Sequence, residues 1–405
     1  MERKKFGSIL ILLIGLILIL SFSACTKKNN LTGDNVSGIV PRIAIADSFS
    51  LGYSYTHEGK VKGTESYIIC GEEDGIEAIG VWRFTGLRDT MTVIGEPVLK
   101  LVATRRSPLD SNPLALSFHK LAQHWTPDST DMILDSNISP LSIPNFTVAD
   151  SISSAGDTLA ISIPAAVIEN WKMENVTGFN LVIKTVDGGW LEFKANELAN
   201  GALLNFKYKV PGSADTLTYN QRAFIDSYRV TGDQSAITTA AWKLKNLLPQ
   251  RMFFRFALQD ELFTDGEGVV LSSLDRKRMT INKAELVLFV KDNPYYGSVR
   301  CNFYPYQVKM DTLAVPTVLT DNDLQIISNT FSSGTIISAD SVKIDVTAVI
   351  QGFTSGNVSN NGIVIKNTAE MQNFGKVEFW HSANAPAGKK PYIKIHYTTP
   401  FLKGD

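Results

Sequence analysis

Cysteine is scarce in this chain, with three in 405 residues. That is too few for a disulfide scaffold. An excess of charge of one sign is also missing. Lys and Arg number 39 against 40 Asp and Glu, for a net charge of −1 and a pI near 6.5. The basic footprint that nucleic-acid binding requires is therefore absent. Beyond the N-terminus no segment reaches the roughly 18 consecutive apolar residues of a membrane helix. There is no Gly-x-Ser-x-Gly elbow. The histidines (His57, His119, His124, His381, His396) form no His-x-x-x-His zinc pattern. Any chain with 40 carboxylates contains candidate acid pairs, so their presence does not point to a glycosidase. The chain reads as non-catalytic, with a hydrolase or lyase as the weakest alternative. Its 44% hydrophobic, 20% charged and 10% aromatic content is that of a packed globular protein, and its length suits about two or three domains.

The first 25 residues read as an address. Arg3, Lys4 and Lys5 precede an apolar run from Ile9 to Leu20, interrupted only by Gly15, and small residues then lead to a cysteine in Ser21-Phe22-Ser23-Ala24-Cys25. This is an export signal with a cleavage site, an uncleaved membrane helix being the alternative. Ala24-Cys25 resembles the lipobox of bacterial lipoproteins. That resemblance implies a signal peptide over 1–24, lipidation of Cys25 and a membrane held through the lipid alone. Residues 25–40 then form the lipidated cysteine and a Gly/Ser/Asn-rich tether. Thr26 stands where the inner-membrane retention signal of such lipoproteins has Asp, which points to the outer membrane or cell surface.

The rest is organised by an internal repeat. Ala46-Asp47-Ser48-Phe49 matches Ile225-Asp226-Ser227-Tyr228, Val81-Trp82-Arg83-Phe84 matches Phe253-Phe254-Arg255-Phe256, and Leu99-Lys100-Leu101-Val102 matches Leu286-Val287-Leu288-Phe289. Further on, the run from Ile161 to Ile168 matches Ile344 to Ile350, Gly178 to Lys184 matches Asn361 to Lys366, Leu191-Glu192-Phe193 matches Val377-Glu378-Phe379, and Leu204 to Tyr208 matches Ile393 to Tyr397. The order is collinear, and the junction falls near Pro211-Gly212-Ser213. Short β-rich runs separated by Gly, Asn, Asp and Pro predict an all-β fold of two tandem antiparallel β-sandwiches, jelly-roll-like, over 41–212 and 213–405. Ile163, Val167, Ile168 and Trp171 have helical spacing, so a short helix is expected from Pro164 to Trp171 and again from Val346 to Phe353.

The repeat resembles the bacterial DNRLRE domain, a carbohydrate-binding module of the alginate-binding kind. The residues that carry the likeness are Arg255-Phe256 and Arg83-Phe84 in an early strand, His124-Trp125-Thr126 in a loop, the helical turn, and the closing Lys390-Pro391-Tyr392-Ile393-Lys394-Ile395-His396-Tyr397. The resemblance implies a non-catalytic sandwich on a secreted or surface protein.

Sugar binding relies on exposed aromatic rings. Trp125, Trp190, Tyr295, Tyr296 and Trp380 adjoin turn signals and are the candidate platform, with core packing as the alternative for each. Trp82, Trp171 and Trp242 fall in periodic apolar patterns and belong to the core. No transition-metal site is expected. Asp321-Asn322-Asp323 and Asp128, Asp131 and Asp135 cluster the oxygens that structural calcium takes, or else are solvated turn formers. Cys70 and Cys301 are read as buried small hydrophobes, an interdomain disulfide being the alternative. The expected function is a lipid-anchored surface protein binding extracellular or cell-wall polysaccharide. The alternative is a structural or adhesive envelope lipoprotein contacting other proteins.

Overall fold

The computed structural model describes residues 41–400 except 60, 62–64, 108–112, 150, 154, 174–178, 187, 233–236, 295–301, 311–314, 327–333 and 339. The signal, Cys25, the tether, Tyr295, Tyr296 and Cys301 lie outside the described residues. No described helix is long and apolar enough to cross a membrane.

The fold is all-β, as expected, in two antiparallel sheet systems of 13 and 12 strands. The strands are β1 (Arg42–Ala46), β2 (Phe49–Thr56), β3 (Tyr67–Glu73), β4 (Ile76–Phe84), β5 (Thr92–Ser107), β6 (Leu114–Leu121), β7 (Ile138–Pro140), β8 (Phe146–Val148), β9 (Asp157–Ser162), β10 (Phe179–Val186), β11 (Gly189–Lys194), β12 (Leu203–Lys209), β13 (Leu217–Arg222) and β14 (Ile225–Gly232). They continue as β15 (Ile237–Thr238), β16 (Trp242–Lys245), β17 (Gln250–Phe256), β18 (Thr280–Asp292), β19 (Asn302–Val308), β20 (Leu324–Ile326), β21 (Gly334–Ser338), β22 (Ser341–Asp345), β23 (Ile363–Asn367), β24 (Lys376–Phe379) and β25 (Tyr392–Thr398). Among the described residues three short α-helices interrupt them: α1 (Ala165–Met173), α2 (Ser273–Arg278) and α3 (Thr347–Ser355). Two of these, α1 and α3, stand where the apolar spacing predicts them. They bury Val167, Ile168 and Trp171, and Val349 and Ile350. Gly356, at φ 72°, ends α3 in the left-handed conformation that glycine adopts without penalty.

Alternation sorts each strand. In β25, Ile393, Ile395 and Tyr397 are buried while Lys394 and His396 between them are half-exposed. One long strand in each unit bends to serve both layers. The first part of β5 pairs with β12 and β9, and its end with β11. Likewise β18 pairs first with β25 and β22, then with β24. Register shifts in the β11 and β12 pairings of β5 mark the bend. Around these bends, β11, β3, β4, β10 and β6 follow in one unit. Strands β24, β16, β17, β23 and β19 follow in the other.

The domain boundaries expected at 41–212 and 213–405 are corrected by the strand pairing. β1 pairs with the last strand, β25, and β2 pairs with β17, so residues 42–56 complete the second sandwich. β13 and β14 lie beyond the expected junction, yet they pair with β12 and β4 and complete the first. The opening two strands of each repeat thus sit in the other repeat's sheets. In chain terms the first sandwich is contiguous, from β3 to β14. It is inserted into the second between β2 and the strands from β15 onward. The sequence repeat alone does not reveal this, because a match between segments is silent about which copy each segment pairs with.

The two units also share a packed contact. Leu247, Leu248 and Phe374, from the second unit's segments, join the first unit's core. The Phe374 ring stacks on Trp190 at 5.6 Å. Lys376 Nζ lies 2.6 Å from Asp74 and 3.5 Å from Glu73.

β14 carries a buried acid. Asp226 accepts a hydrogen bond from the Asn196 amide (2.9 Å), while its Oδ1 has no partner among the described residues. Burial, together with the charge of Glu197, pushes its carboxyl up to about 7. A carboxyl with a raised folded value contributes full stability below its unfolded value and loses it as pH rises toward 7. The gap between the ordinary value and about 7 sets a ceiling of roughly 4 kcal/mol. Asp226→Asn is expected to recover about 2 kcal/mol at pH 8, because the added amide donor is not matched by the site. It should change little at pH 4. Urea unfolding at both pH values checks this, and an equal effect at both would contradict it.

Candidate binding cleft

Among the described residues, two members of the expected aromatic platform, Trp125 and Trp190, are turned into the protein. Trp125 does lie in the loop after β6, but it is only 1% exposed. The loop folds back over the outer face of the sheet, where Trp125 packs with Ile79, Val81, Leu121, Ile133 and Val182. Its indole N–H donates to Asn180 Oδ1 (3.0 Å), and Arg83 stands over the ring at 5.3 Å. Trp190 is likewise 1% exposed, in β11, with its N–H donating to Glu73 at 2.9 Å. Neither ring is available to a sugar face. Trp380 is half-buried, and Lys291 lies over its ring at 5.6 Å. Trp82, Trp171 and Trp242 are core residues. Cys70 is buried with a free thiol, which burial pushes well above its usual range.

Several of the expected calcium oxygens have other partners. Asp323 caps its own turn, accepting from the Thr320 amide and hydroxyl. Asp135 is bound by Arg229 at 2.5 Å. Among the described residues no group of three His, Cys, Asp or Glu side chains is arranged to hold a metal.

A cleft instead forms where the chain leaves the second sandwich for the first. It has a volume of about 380 Å³. One wall is the crossing segment after β2, with His57, Glu58, Gly59 and Glu65. The other is built from Pro249, Arg251, Asp321 and the end of β23 with its following loop, Lys366 to Gln372. The His57 amide donates to the Pro249 carbonyl (2.8 Å) and ties the crossing segment to the start of β17.

Arg251 organises the floor. It is 1% exposed, and its fork is fully engaged. Nε and Nη2 donate to the two Glu370 oxygens at 2.7 and 2.8 Å, and Nη1 to Asp321 at 2.7 Å. Burial pushes the guanidinium down, but its bonds to Glu370 and Asp321 outweigh this and hold it above its ordinary value. Burial raises Asp321, yet Arg251 and then Lys366 bring its carboxyl down to about 2. Lys366 Nζ lies 3.1 Å from Asp321 and 4.6 Å from the Tyr306 ring centre. His57 Nε2 is 3.8 Å from Asp321, but burial and the Arg251 charge push the imidazole down. It is therefore neutral at pH 7. The lining thus sets four carboxylates (Glu58, Glu65, Asp321, Glu370) against two fixed cations.

Of these residues only Asp321 stood out in the sequence, as a candidate calcium oxygen, and here its carboxylate is held by Arg251 and Lys366 instead. One other signal was there: the repeat aligns Arg251 with Ile79, a buried aliphatic residue on the same strand of the first unit. A charge in a buried slot requires a partner, but Glu370 is 119 residues away and only folding identifies it.

No protein-family sequence model matches the chain, and no curated protein matches it significantly.

Proposed function

We propose that the chain is a non-catalytic, lipid-anchored surface protein that binds extracellular polysaccharide, with the junction cleft as its binding site. The observation that supports this is the locked network of Arg251, Glu370, Asp321 and Lys366. Arg251, itself buried, holds the exposed Asp321 carboxylate beside the Lys366 ammonium in a fixed orientation, and pre-oriented polar groups of this kind read sugar hydroxyls at low ordering cost. The cleft lies where the crossing segment packs against the second sandwich. Its acidic balance favours a neutral glycan over a uronate such as alginate, since a carboxylate ligand would face four others.

The test is calorimetry of the detergent-solubilised chain against neutral, amino and uronic oligosaccharides. Neutral sugars are expected to bind. The Thr368→Ala/Gln372→Ala variant, altered only at the exposed rim, is expected to weaken them about tenfold, as for one or two lost hydrogen bonds. Its circular dichroism should be unchanged. Absence of binding to all three classes would overturn the glycan reading. Binding that the rim variant leaves intact would move the site elsewhere.

A further inference from the structure

The outermost strand of the second sandwich, β1, has an unusual face. Among the described residues it pairs only with β25. Along it the small residues point inward and the large ones outward. Ala44 and Ala46 are buried, while Ile43 and Ile45 are 56% and 55% exposed. An edge strand normally protects itself with Lys, Pro or a bulge; between Arg42 and Asp47 this one reads Ile-Ala-Ile-Ala.

The molecule supplies its own control. β13 occupies the same slot in the first sandwich, at the edge beside β12. Tyr219 opposite Phe206 corresponds to Ala44 opposite Ile395. By the same registers Thr218 corresponds to Ile43, and Asn220 to Ile45. The first unit thus presents polar residues at the two outward positions where the second presents isoleucine. The slot itself does not demand apolar residues there.

We propose that β1 is a self-pairing edge through which two copies of this chain join antiparallel, centred on Ala44. Only registers that pair residues of like parity keep the isoleucines on one face. Centring on Ile43 would bring Pro41, which has no N–H, into the ladder. Centring on Ile45 would set Ile43 against Asp47. Centring on Ala44 pairs Ile43 with Ile45 of the second copy twice over and clusters four isoleucines. At each end Arg42 of one copy then lies opposite Ala46 of the other, while Asp47 stays on Lys390 of its own chain and no like charges are set against each other. The sheet then runs unbroken from β25 through both copies of β1 to the second β25. Five paired residues per copy bury little area, which implies a dissociation constant on the order of 10–100 µM.

The test uses the full chain in detergent. Ile43→Cys/Ile45→Cys is expected to form a disulfide-linked dimer on mild oxidation. The wild-type chain and the equivalent-slot variant Thr218→Cys/Asn220→Cys are not. In sedimentation, Ile43→Thr/Ile45→Asn, which installs the first unit's residues at exposed positions, is expected to weaken self-association at least about tenfold with unchanged melting. A wild-type chain that stays monomeric to about 100 µM would overturn the proposal. So would cross-linking no faster than in the Thr218→Cys/Asn220→Cys control, or a cross-linked product containing a different protein.

Discussion

Arg251→Ala is expected to lower the unfolding free energy by about 3–5 kcal/mol, the usual loss when one partner of a buried ion pair is removed. The size follows from what is left behind. Glu370 is largely buried and binds the guanidinium through both oxygens, so truncation leaves a desolvated carboxylate with two unmet acceptors. Asp321 is better placed to recover, because it is largely exposed and keeps Lys366. Glu370→Ala should therefore cost more than Asp321→Ala. The double variant Arg251→Ala/Glu370→Ala should cost less than the sum of the two single changes, since it removes the stranded charge together with its cause. Urea unfolding of the four variants measures this cycle. A loss below about 1 kcal/mol for Arg251→Ala would show that the network is not built as described.

Trp190→Ala is expected to cost about 3–5 kcal/mol, as for a large aromatic removed from a core. The ring is buried in the first unit, stacks on Phe374 from the second, and its N–H is bound by Glu73. Truncation therefore opens a cavity and also frees a contact between units. Phe374→Ala should couple to it by about 1 kcal/mol in a double-mutant cycle, the usual excess of an aromatic pair over its area. The insertion adds a second expectation. The second sandwich is closed by β1 and β2, which the whole first sandwich separates from β16 and β17. Loosening the inserted unit must then loosen the unit that surrounds it, so both variants should unfold in one transition, monitored by tryptophan fluorescence and circular dichroism together. Two separated transitions would mean that the units fold independently.

Much of this architecture was legible in the chain. Residues such as Ile393, Ile395 and Tyr397 alternate with polar neighbours and could only be a half-buried strand. The spacing of Val167, Ile168 and Trp171 required a helix with one buried face, which α1 supplies. These are local properties, set by side-chain period and backbone preference over fewer than ten residues. Trp125 shows where such reading stops. Its neighbours signal a loop correctly, but exposure depends on whether that loop folds back, and Val81 and Val182, which it covers, are far away in sequence.

By itself, then, the sequence determined the all-β class, the repeat, the paired helices and the sorting of core from surface along each strand, because all of these follow from short-range periodicity. Only the tertiary structure decided which repeat each strand completes, which acid meets Arg251, and that Ile43 and Ile45 point outward from a strand that is at a sheet edge among the described residues. Those depend on pairing between segments up to some 350 residues apart, as in Arg42 with Tyr397. Two near-equivalent repeats offer each strand two similar places to pair. The choice between them rests on chain connectivity and on the fit of the assembled cores, neither of which any single segment carries.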